Sequence, residues 1–301
     1  MTRSTSHPRL SWRHSNNSMS DIESRWAEMS EGIISPLADA AEDVGSTGDI
    51  YFGLPLIDHH LRGLRPESLY LLTGFAHNGK TQLFITLVVN NPDKKIILFT
   101  PDESRSMVLL KLLAAASNES REEIEHWGAR RIRDATNYYI PNIVVIDTSL
   151  DAGQIHASMG QAQALLGGPA DLACYDYMSQ LPDWPDNIPQ KARVFKELAK
   201  ETKIPWLVIH QANRTAARDA HMSMEKMSFG GEQEATAVIA CRRAIFTDKK
   251  MTSGQKLWEE THPTIHVAIV KNKWGSMTDP MGIKHYIRTP GGLVVPERDE
   301  S

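Results

Sequence analysis

Eight consecutive residues place the strongest constraint on what this chain can fold into. Residues 74–81 read Gly-Phe-Ala-His-Asn-Gly-Lys-Thr, which is the spacing G-x-x-x-x-G-K-[ST] of a phosphate-binding loop. An apolar, β-prone run precedes the loop at 68–73, and an apolar helix-like run follows it at 82–89. Between a strand and a helix, main-chain N–H groups and the positive end of the helix dipole converge on phosphate oxygens. The sequence therefore predicts a nucleotide site at this point.

Each position of the loop has an expected task. The glycines let the backbone come close to the phosphates, Lys80 reaches the β- and γ-phosphates, and the Thr81 hydroxyl coordinates Mg²⁺. A Gly-rich turn with an incidental lysine is the alternative interpretation. The predicted ATP-binding residues are Gly74, Phe75, Ala76, His77, Asn78, Gly79, Lys80, Thr81 and Gln82.

Composition limits the class of protein. The chain has 301 residues, 41% of them hydrophobic, which suffices for one large core or two modest ones. No apolar run approaches the length of a membrane span, and the N-terminus lacks the apolar core of a signal peptide, so we expect a cytoplasmic protein without a membrane partner. Cys174 and Cys241 lie in apolar runs and are expected to be buried free thiols. The net charge of −4 argues against purely electrostatic binding to nucleic acid but allows a local basic groove.

Strand-like and helix-like segments alternate after the first strand. Further strands are predicted at 95–100, 142–147, 171–176, 206–211, 235–241 and 264–271, and helices at 107–116, 122–135, 154–166 and 191–201. This order predicts an α/β fold with a mostly parallel central sheet, helices on both faces and ligands at the carboxyl ends of the strands.

The remaining segments complete the expected domain organisation. We expect residues 1–19 to be a disordered leader, because they lack apolar periodicity. Residues 20–45 contain an amphipathic helix, which either packs on its own core or docks on a neighbouring subunit. Residues 46–296 form the phosphate-binding domain, and 297–301 form a tail.

Carboxylates follow two of the predicted strands. Asp176 ends an apolar run, in the position of a Walker B aspartate that holds the metal through water. Asp102 and Glu103 follow the strand at 95–100, where a carboxylate can orient the attacking water. Asp102 or Ser104 can equally cap the next helix. We favour Glu103 as the catalytic carboxylate, but both acids remain candidates.

Two further groups of polar residues suit a nucleotide-driven motor. Gln211 closes a strand, where its amide can contact the γ-phosphate and report its loss to the following loop. That loop contains the predicted DNA-binding cations Arg214, Arg218 and Lys226, although a solvated surface loop is the alternative.

Two lysines near the end of the last predicted strand form a separate candidate site. Lys271 and Lys273 lie one residue apart, so an extended segment would direct both to the same side. We predict that this pair is a finger that reaches the nucleotide of a neighbouring subunit. The alternative is an exposed strand edge protected by lysines.

Taken together, these motifs resemble the RecA-like ATPase core shared by DnaB-type replicative helicases, KaiC and RecA. Residues 99–104, Phe-Thr-Pro-Asp-Glu-Ser, are similar to the Phe-x-x-Glu-Glu-Ser of KaiC and to the DnaB segment that bears the catalytic glutamate. An ungapped match to DnaB falls on Asp102, whereas a KaiC-like alignment allows both acids. Residues 176–181 resemble the helicase Asp-Tyr-Leu-Gln-Leu motif, and 210–214 resemble Ser-Gln-Leu-Asn-Arg.

The resemblance continues towards the C-terminus with one departure. Residues 232–235, Glu-Gln-Glu-Ala, look like the helicase Glu-Gln-Asp-Ala, which puts Lys226 near a DNA-contacting arginine. Residues 270–273 depart from the helicase Lys-x-Arg-Asn-Gly finger and resemble the paired interface lysines of RecA. The first 45 residues show no counterpart of the DnaB primase-interacting domain, and the chain is most similar to stand-alone helicase-like ATPases of bacteriophages.

This resemblance implies an ATP- and Mg²⁺-dependent ATPase that acts on single-stranded or branched DNA in replication or recombination. It implies a homo-oligomeric ring, such as a hexamer, or a filament, with replication proteins as possible partners. The implied catalytic residues are Glu103, Asp102, Lys80 and Gln211. Two other classes stay open. One is a KaiC-like regulatory ATPase that binds protein, and the other is a metal-dependent nuclease that uses Asp176 with Asp102 or Asp147.

Overall fold

The computed structural model describes residues 47–75, 77–184, 186–211, 230–245, 261–288 and 290–296. The predicted leader, the N-terminal helix and the tail lie outside these residues. So do Ala76 of the phosphate loop and the three predicted DNA-binding cations, Arg214, Arg218 and Lys226.

A single nine-stranded sheet organises the described residues, in the order β3-β2-β4-β5-β1-β6-β7-β8-β9. Neighbours from β3 to β6 pair in parallel, and β6 to β9 pair antiparallel, so the predicted mostly parallel sheet is confirmed. The strands are β1 Leu69–Gly74, β2 Ile96–Phe99, β3 Ile143–Ile146, β4 Leu172–Asp176, β5 Trp206–Gln211, β6 Ala237–Ile245, β7 Thr261–Asn272, β8 Ile283–Arg288 and β9 Leu293–Pro296.

Helices cover both faces of this sheet. The described helices are α1 Pro55–Leu61, α2 Lys80–Val89, α3 Arg105–Ser117, α4 Arg121–Glu125, α5 Ala129–Tyr139, α6 Ala152–Leu165 and α7 Ile188–Thr202, with a 3₁₀ turn at Met178–Gln180. Apolar residues of α1, α2 and α3 pack on one face, and those of α6 and α7 pack on the other. Both faces of β1, β2 and β4 are buried, which explains why these strands read as continuous apolar runs instead of alternating ones.

The structure differs from the sequence-based expectation in three places, one of which is the unpredicted helix α1. The single helix expected at 122–135 is two helices, because Ser120 and Glu123 form a capping box that starts α4 and Gly128 starts α5. Strands β8 and β9 were not predicted. Cys174 and Cys241 are buried free thiols, as expected. Within the described ranges, no helix is both long and apolar enough to cross a membrane.

Candidate nucleotide-binding site

The phosphate loop lies at the middle of the sheet, between β1 and α2. β1 pairs with β5 on one side and with β6 on the other, so the loop leaves the carboxyl edge with a parallel strand on each side. Gly79 precedes α2 with φ of +89°, a conformation that L side chains rarely adopt. A Cβ there would come within 2.3 Å of Cδ1 of Ile265. The second glycine of the motif is therefore required by backbone conformation, whereas the Ile265 side chain could rotate away from a Cβ.

Contacts with β6 hold the other end of the loop. A Cβ on Gly74 would lie 2.4 Å from the carbonyl oxygen of Cys241, so only glycine fits at the end of β1. The backbone N–H of Arg243 donates a hydrogen bond of 3.1 Å to Oδ1 of Asn78. The loop is thus fixed to the adjacent strand before any ligand binds.

Lys80 is the first residue of α2 and points back into the loop. Its side chain is buried, with a residue exposure of 7%, and its amine donates to the carbonyls of Gly74 at 2.9 Å and Phe75 at 2.7 Å. Burial lowers the pKa of Lys80. Burial and the nearby Lys80 charge lower the pKa of His210 to about 4, so this histidine is neutral at pH 7. His210 therefore adds no positive charge beside Lys80 at neutral pH.

Asp176 ends β4, one strand away from β1, since β5 lies between the two. It is 8% exposed, and its Oδ1 has no hydrogen-bond partner within the described part of the chain. Burial, and then the nearby Glu103 charge, raise the pKa of Asp176 to about 7, although Lys111 and Lys80 act in the opposite direction. A buried carboxylate oxygen without a partner is costly unless a cation or a donor completes it. The site therefore fits a divalent cation.

We expect Asp176→Asn to stabilise the chain in the absence of metal and nucleotide. The pKa of Asp176 is raised in the folded state, so folding becomes less favourable as pH rises from about 4 to about 7. The asparagine removes this cost. The free energy of unfolding of the variant is expected to exceed that of the unmodified chain by on the order of 2–4 kcal/mol at pH 8 and by less than half as much at pH 5.

Urea unfolding at pH 5 and pH 8 with a chelator measures this effect. The comparison between the two proteins cancels the contribution of His210, which both contain. Asp171→Asn is the matched control, because Asp171 lies just before the same strand and accepts a 2.7 Å hydrogen bond from the Lys95 N–H. That variant is expected to lose stability. A D176N variant that is equally destabilised at both pH values would contradict the buried ionised carboxylate.

The two acids after β2 have different partners. Asp102 accepts a 2.5 Å hydrogen bond from the Tyr177 hydroxyl and a longer one, of 3.4 Å, from Nε2 of Gln180. Glu103 instead contacts the Lys111 amine and acts on Asp176 more strongly than Asp102 does. The N-terminus of α3 is capped by Ser104, whose hydroxyl accepts from the Met107 N–H. Neither acid therefore caps this helix.

Gln211 and the loop belong to the same hydrogen-bonded ladder. Gln211 is the last residue of β5 and stands opposite Gly74 in the parallel register with β1. Thr81 and Gln82 are residues of the first turn of α2, and both are half-buried. The described loop residues, Asp176, the two acids and Gln211 all lie at the carboxyl ends of parallel strands, as the fold rule requires.

The two candidate finger lysines are not equivalent. Lys271 is in β7, and its amine donates to the carbonyls of Glu232 at 2.6 Å and Gln233 at 3.0 Å. Burial and then the nearby Lys273 charge lower the pKa of Lys271. β7 ends at Asn272, so Lys273 lies beyond the strand and is exposed. Lys271 is therefore bound to backbone carbonyls while Lys273 is exposed, and the assignment of the pair as a finger stays a prediction.

β7 runs antiparallel to β6, which decides where these lysines lie. The first residue of β6, Ala237, stands opposite Asn272, whereas Arg243 near the end of β6 stands opposite Ile265. Lys273 therefore lies at the amino edge of the parallel strands, about 20 Å along the sheet from the edge that carries the phosphate loop. It cannot reach the loop of its own subunit. β7 lies between β6 and β8, but β8 pairs with it only at 264–267, so among the described strands the end of β7 that carries Lys271 is paired on the β6 side alone.

Two arginines near the loop were not recognised in the sequence. Arg242 and Arg243 follow Cys241 in β6, and each has a buried Nε without a hydrogen-bond partner among the described residues. Burial lowers the pKa of both guanidinium groups. Two cations directly after an apolar run could have marked these residues as candidates in the sequence. Assigning them to the site, however, requires knowing that β6 runs parallel to β1.

The nuclease alternative has little support from the position of Asp147. Asp147 follows β3, which β2 separates from β4, and its carboxylate accepts from the Arg105 backbone N–H at 3.1 Å and pairs with the Arg105 guanidinium at 3.1 Å. In the ranges that the structure describes, no three His, Cys, Asp or Glu side chains form a group that could hold a metal ion.

The geometry of this site agrees with sequence comparison. A family model described as the DnaB-like helicase C terminal domain matches residues 50–283. The chain belongs to this family.

The replicative DNA helicase DnaB of Pasteurella multocida (strain Pm70) is 25% identical to it over 191 residues, which are 57% of this chain and 40% of that protein. The probable replicative DNA helicase of Guillardia theta is 25% identical over 179 residues, or 52% of this chain and 29% of that protein. The chain thus covers less than half the length of these curated relatives.

Solved structures agree with the fold of a DnaB-like C-terminal domain. A DnaB-like replicative helicase, studied with its interactions with primase, superposes with a TM-score of 0.69 at 18% identity, covering 93% of this chain and 72% of that one. A second solved structure, an isolated ATPase domain, superposes with a TM-score of 0.66 at 18% identity, covering 92% of this chain and 99% of that domain. The predicted RecA-like, DnaB-type core is confirmed.

Proposed function

We propose that this DnaB-like domain hydrolyses ATP with Mg²⁺ and uses the energy to move along DNA as a helicase motor. The observation that carries the proposal is the proximity of Lys80 to Asp176, whose Oδ1 has no hydrogen-bond partner among the described residues, at the edge of the sheet that carries the loop. A cation in the loop and a buried carboxylate beside it are what a metal-bound triphosphate needs.

In this proposal each residue of the chain has a defined role. The loop N–H groups and Lys80 bind the β- and γ-phosphates, with the Lys80 amine leaving the carbonyls that it contacts in the ligand-free chain. Thr81 and Asp176 would hold Mg²⁺, which supplies charge neutralisation at the phosphates. Glu103 orients and polarises the attacking water, since Asp102 is held by the Tyr177 hydroxyl. Gln211 contacts the γ-phosphate.

Movement along DNA is assigned to the segment that follows Gln211. Loss of the γ-phosphate changes the contacts of Gln211, and the chain continues from there to Arg214, Arg218 and Lys226. These cations suit the phosphate backbone of single-stranded or branched DNA. Such binding adds electrostatic affinity locally, although the chain as a whole carries a net charge of −4.

A homo-oligomer completes the site in this proposal. Lys273 lies at the edge opposite its own phosphate loop, so it serves the nucleotide of a neighbouring subunit, in a ring such as a hexamer or in a filament. Lysine contributes a point charge and not the fork of an arginine, so its stabilisation of the transition state is expected to be weaker than that of an arginine finger. Replication proteins are the proposed further partners.

ATP turnover and native mass, each measured with and without single-stranded DNA, test this function. We expect DNA to stimulate turnover and the native mass to be a multiple of the chain mass. If ATP turnover is the same with and without DNA, the result would favour the KaiC-like class, in which the ATPase binds protein. Cleavage of branched DNA with Mg²⁺ but without ATP would favour the nuclease.

Replacing Lys226 with alanine is expected to weaken DNA binding equally for all sequences. Loss of one phosphate contact lowers the slope of log K against log salt concentration by about 1. Fluorescence anisotropy with a labelled oligonucleotide at several salt concentrations measures that slope. Lys94→Ala is the control, because Lys94 pairs with Asp49 at 2.6 Å, just before the amino end of β2. Equal slopes for both variants would remove Lys226 from the DNA-binding surface.

A further inference from the structure

Lys111 is a buried cation in the candidate site that the functional assignment above does not use. It lies in the middle of α3, and its side chain is only 12% exposed. Its amine contacts Oε1 of Glu103 as both a hydrogen bond and an ion pair. Among the neighbouring charges that lower the pKa of Asp176, Lys111 acts more strongly than Lys80. The Lys111 charge therefore lies inside the catalytic cluster and not on the surface.

The backbone around Glu103 is fixed separately. The Glu103 N–H donates to the Thr100 carbonyl at 3.1 Å, and the Thr100 hydroxyl donates to the Glu103 carbonyl at 3.3 Å. These two bonds hold the main chain of the turn after β2 but leave the carboxylate free to rotate. Of the described contacts, the one to Lys111 is what sets the direction of the Glu103 side chain.

We propose that Lys111 is the positioning residue of the reaction: it holds Glu103 by Oε1 so that Oε2 faces the water that attacks the γ-phosphate. The inference rests on the proposed ATPase function. A carboxylate that orients water must keep one oxygen at a fixed place, and an error of about 1 Å can cost on the order of 100-fold in rate. Lys111 acts through Glu103 and does not itself touch the nucleotide.

The experiment compares the steady-state kinetics of Lys111→Met, Lys111→Arg and Lys94→Met at saturating Mg²⁺. We expect Lys111→Met to lower kcat by about 10- to 100-fold, with little change in KM for ATP, because a positioning residue affects the transition state and not ground-state binding. Lys111→Arg keeps the cation and is expected to restore most of kcat. Lys94→Met removes a comparable ion pair outside the site and is expected to leave kcat unchanged.

A double-mutant cycle separates positioning from general stability. If Lys111 acts only through Glu103, then adding Lys111→Met to Glu103→Gln lowers single-turnover hydrolysis no further. Melting curves of all variants identify any loss of fold, and Lys111→Arg supplies the folded comparison. The inference is overturned if the two substitutions are additive, if Lys111→Met raises KM alone, or if it changes neither constant. Absence of turnover in the unmodified chain would instead overturn the proposed function, and this inference with it.

Discussion

Lys80→Ala is expected to abolish ATP hydrolysis while leaving the fold intact. Lys80 is the cation of the phosphate loop, and removing a group that stabilises transition-state charge typically costs on the order of 100- to 1000-fold in kcat. The fold does not depend on this amine, which in the ligand-free chain contacts only carbonyls of its own loop among its described hydrogen bonds. Steady-state phosphate release and a thermal melt measure the two halves of the prediction.

Lys95→Ala is the matched control for this experiment. The Lys95 amine also donates to a backbone carbonyl, that of Gly167 at 3.2 Å, but Lys95 lies just before the amino end of β2. Its replacement is expected to leave turnover within about threefold, as for a surface change remote from the chemistry. Turnover that is unchanged in the Lys80 variant would remove the central assignment of the site.

Glu103→Gln is expected to have the second largest effect, and it separates the two candidate acids. Losing a general base costs about 100- to 10,000-fold in rate. The amide is nearly isosteric and can still accept from the Lys111 amine, so we expect ATP to bind with similar affinity. Turnover measured beside equilibrium binding of a fluorescent nucleotide shows whether only the chemical step is lost.

Asp102→Asn is the companion variant. Its carboxylate accepts from Tyr177 and Gln180, and an asparagine oxygen can still accept from the tyrosine hydroxyl. We therefore expect turnover to remain within about fivefold of the unmodified chain, with a modest loss of stability from the weaker hydrogen bond. If D102N loses turnover and E103Q retains it, the roles of the two acids are reversed. Asp102 would then be the catalytic carboxylate, which is the position that an ungapped match to DnaB selects.

The sequence predicts the parallel part of this fold well because its strands are buried on both faces. Runs such as 96–99 and 172–176 are continuously apolar and end at carboxylates or turns. β8 was missed because its sequence is neither a continuous apolar run nor a regular alternation of apolar and polar residues. It contains His285, which is almost completely buried, so a polar residue stands where the alternating pattern needs an apolar one. The position of β5 between β4 and β1 depends on long-range pairing, which no local pattern contains.

Which residues meet at the site was predictable, but which side chains bind each other was not. The rule that ligands bind at the carboxyl ends of parallel strands brings the loop, Asp176 and Glu103 to one edge. The Tyr177 hydroxyl reaches Asp102 across 75 residues of sequence, and Lys111 reaches Glu103 from inside the next helix. The Lys271 amine donates to the Glu232 carbonyl, a contact that the spacing of the two lysines does not predict. These choices depend on rotamers and burial, which the spacing of residues does not encode.

Because β7 runs antiparallel to β6, the two opposite edges of the sheet carry different functional groups. The phosphate loop leaves one edge of the sheet, and Lys273 leaves the other. In a head-to-tail contact, the loop-bearing edge of one subunit meets the lysine-bearing edge of the next, so that each Lys273 serves one foreign loop in one direction. Repetition of that contact either closes into a ring or grows without limit, and the rotation between successive copies decides which.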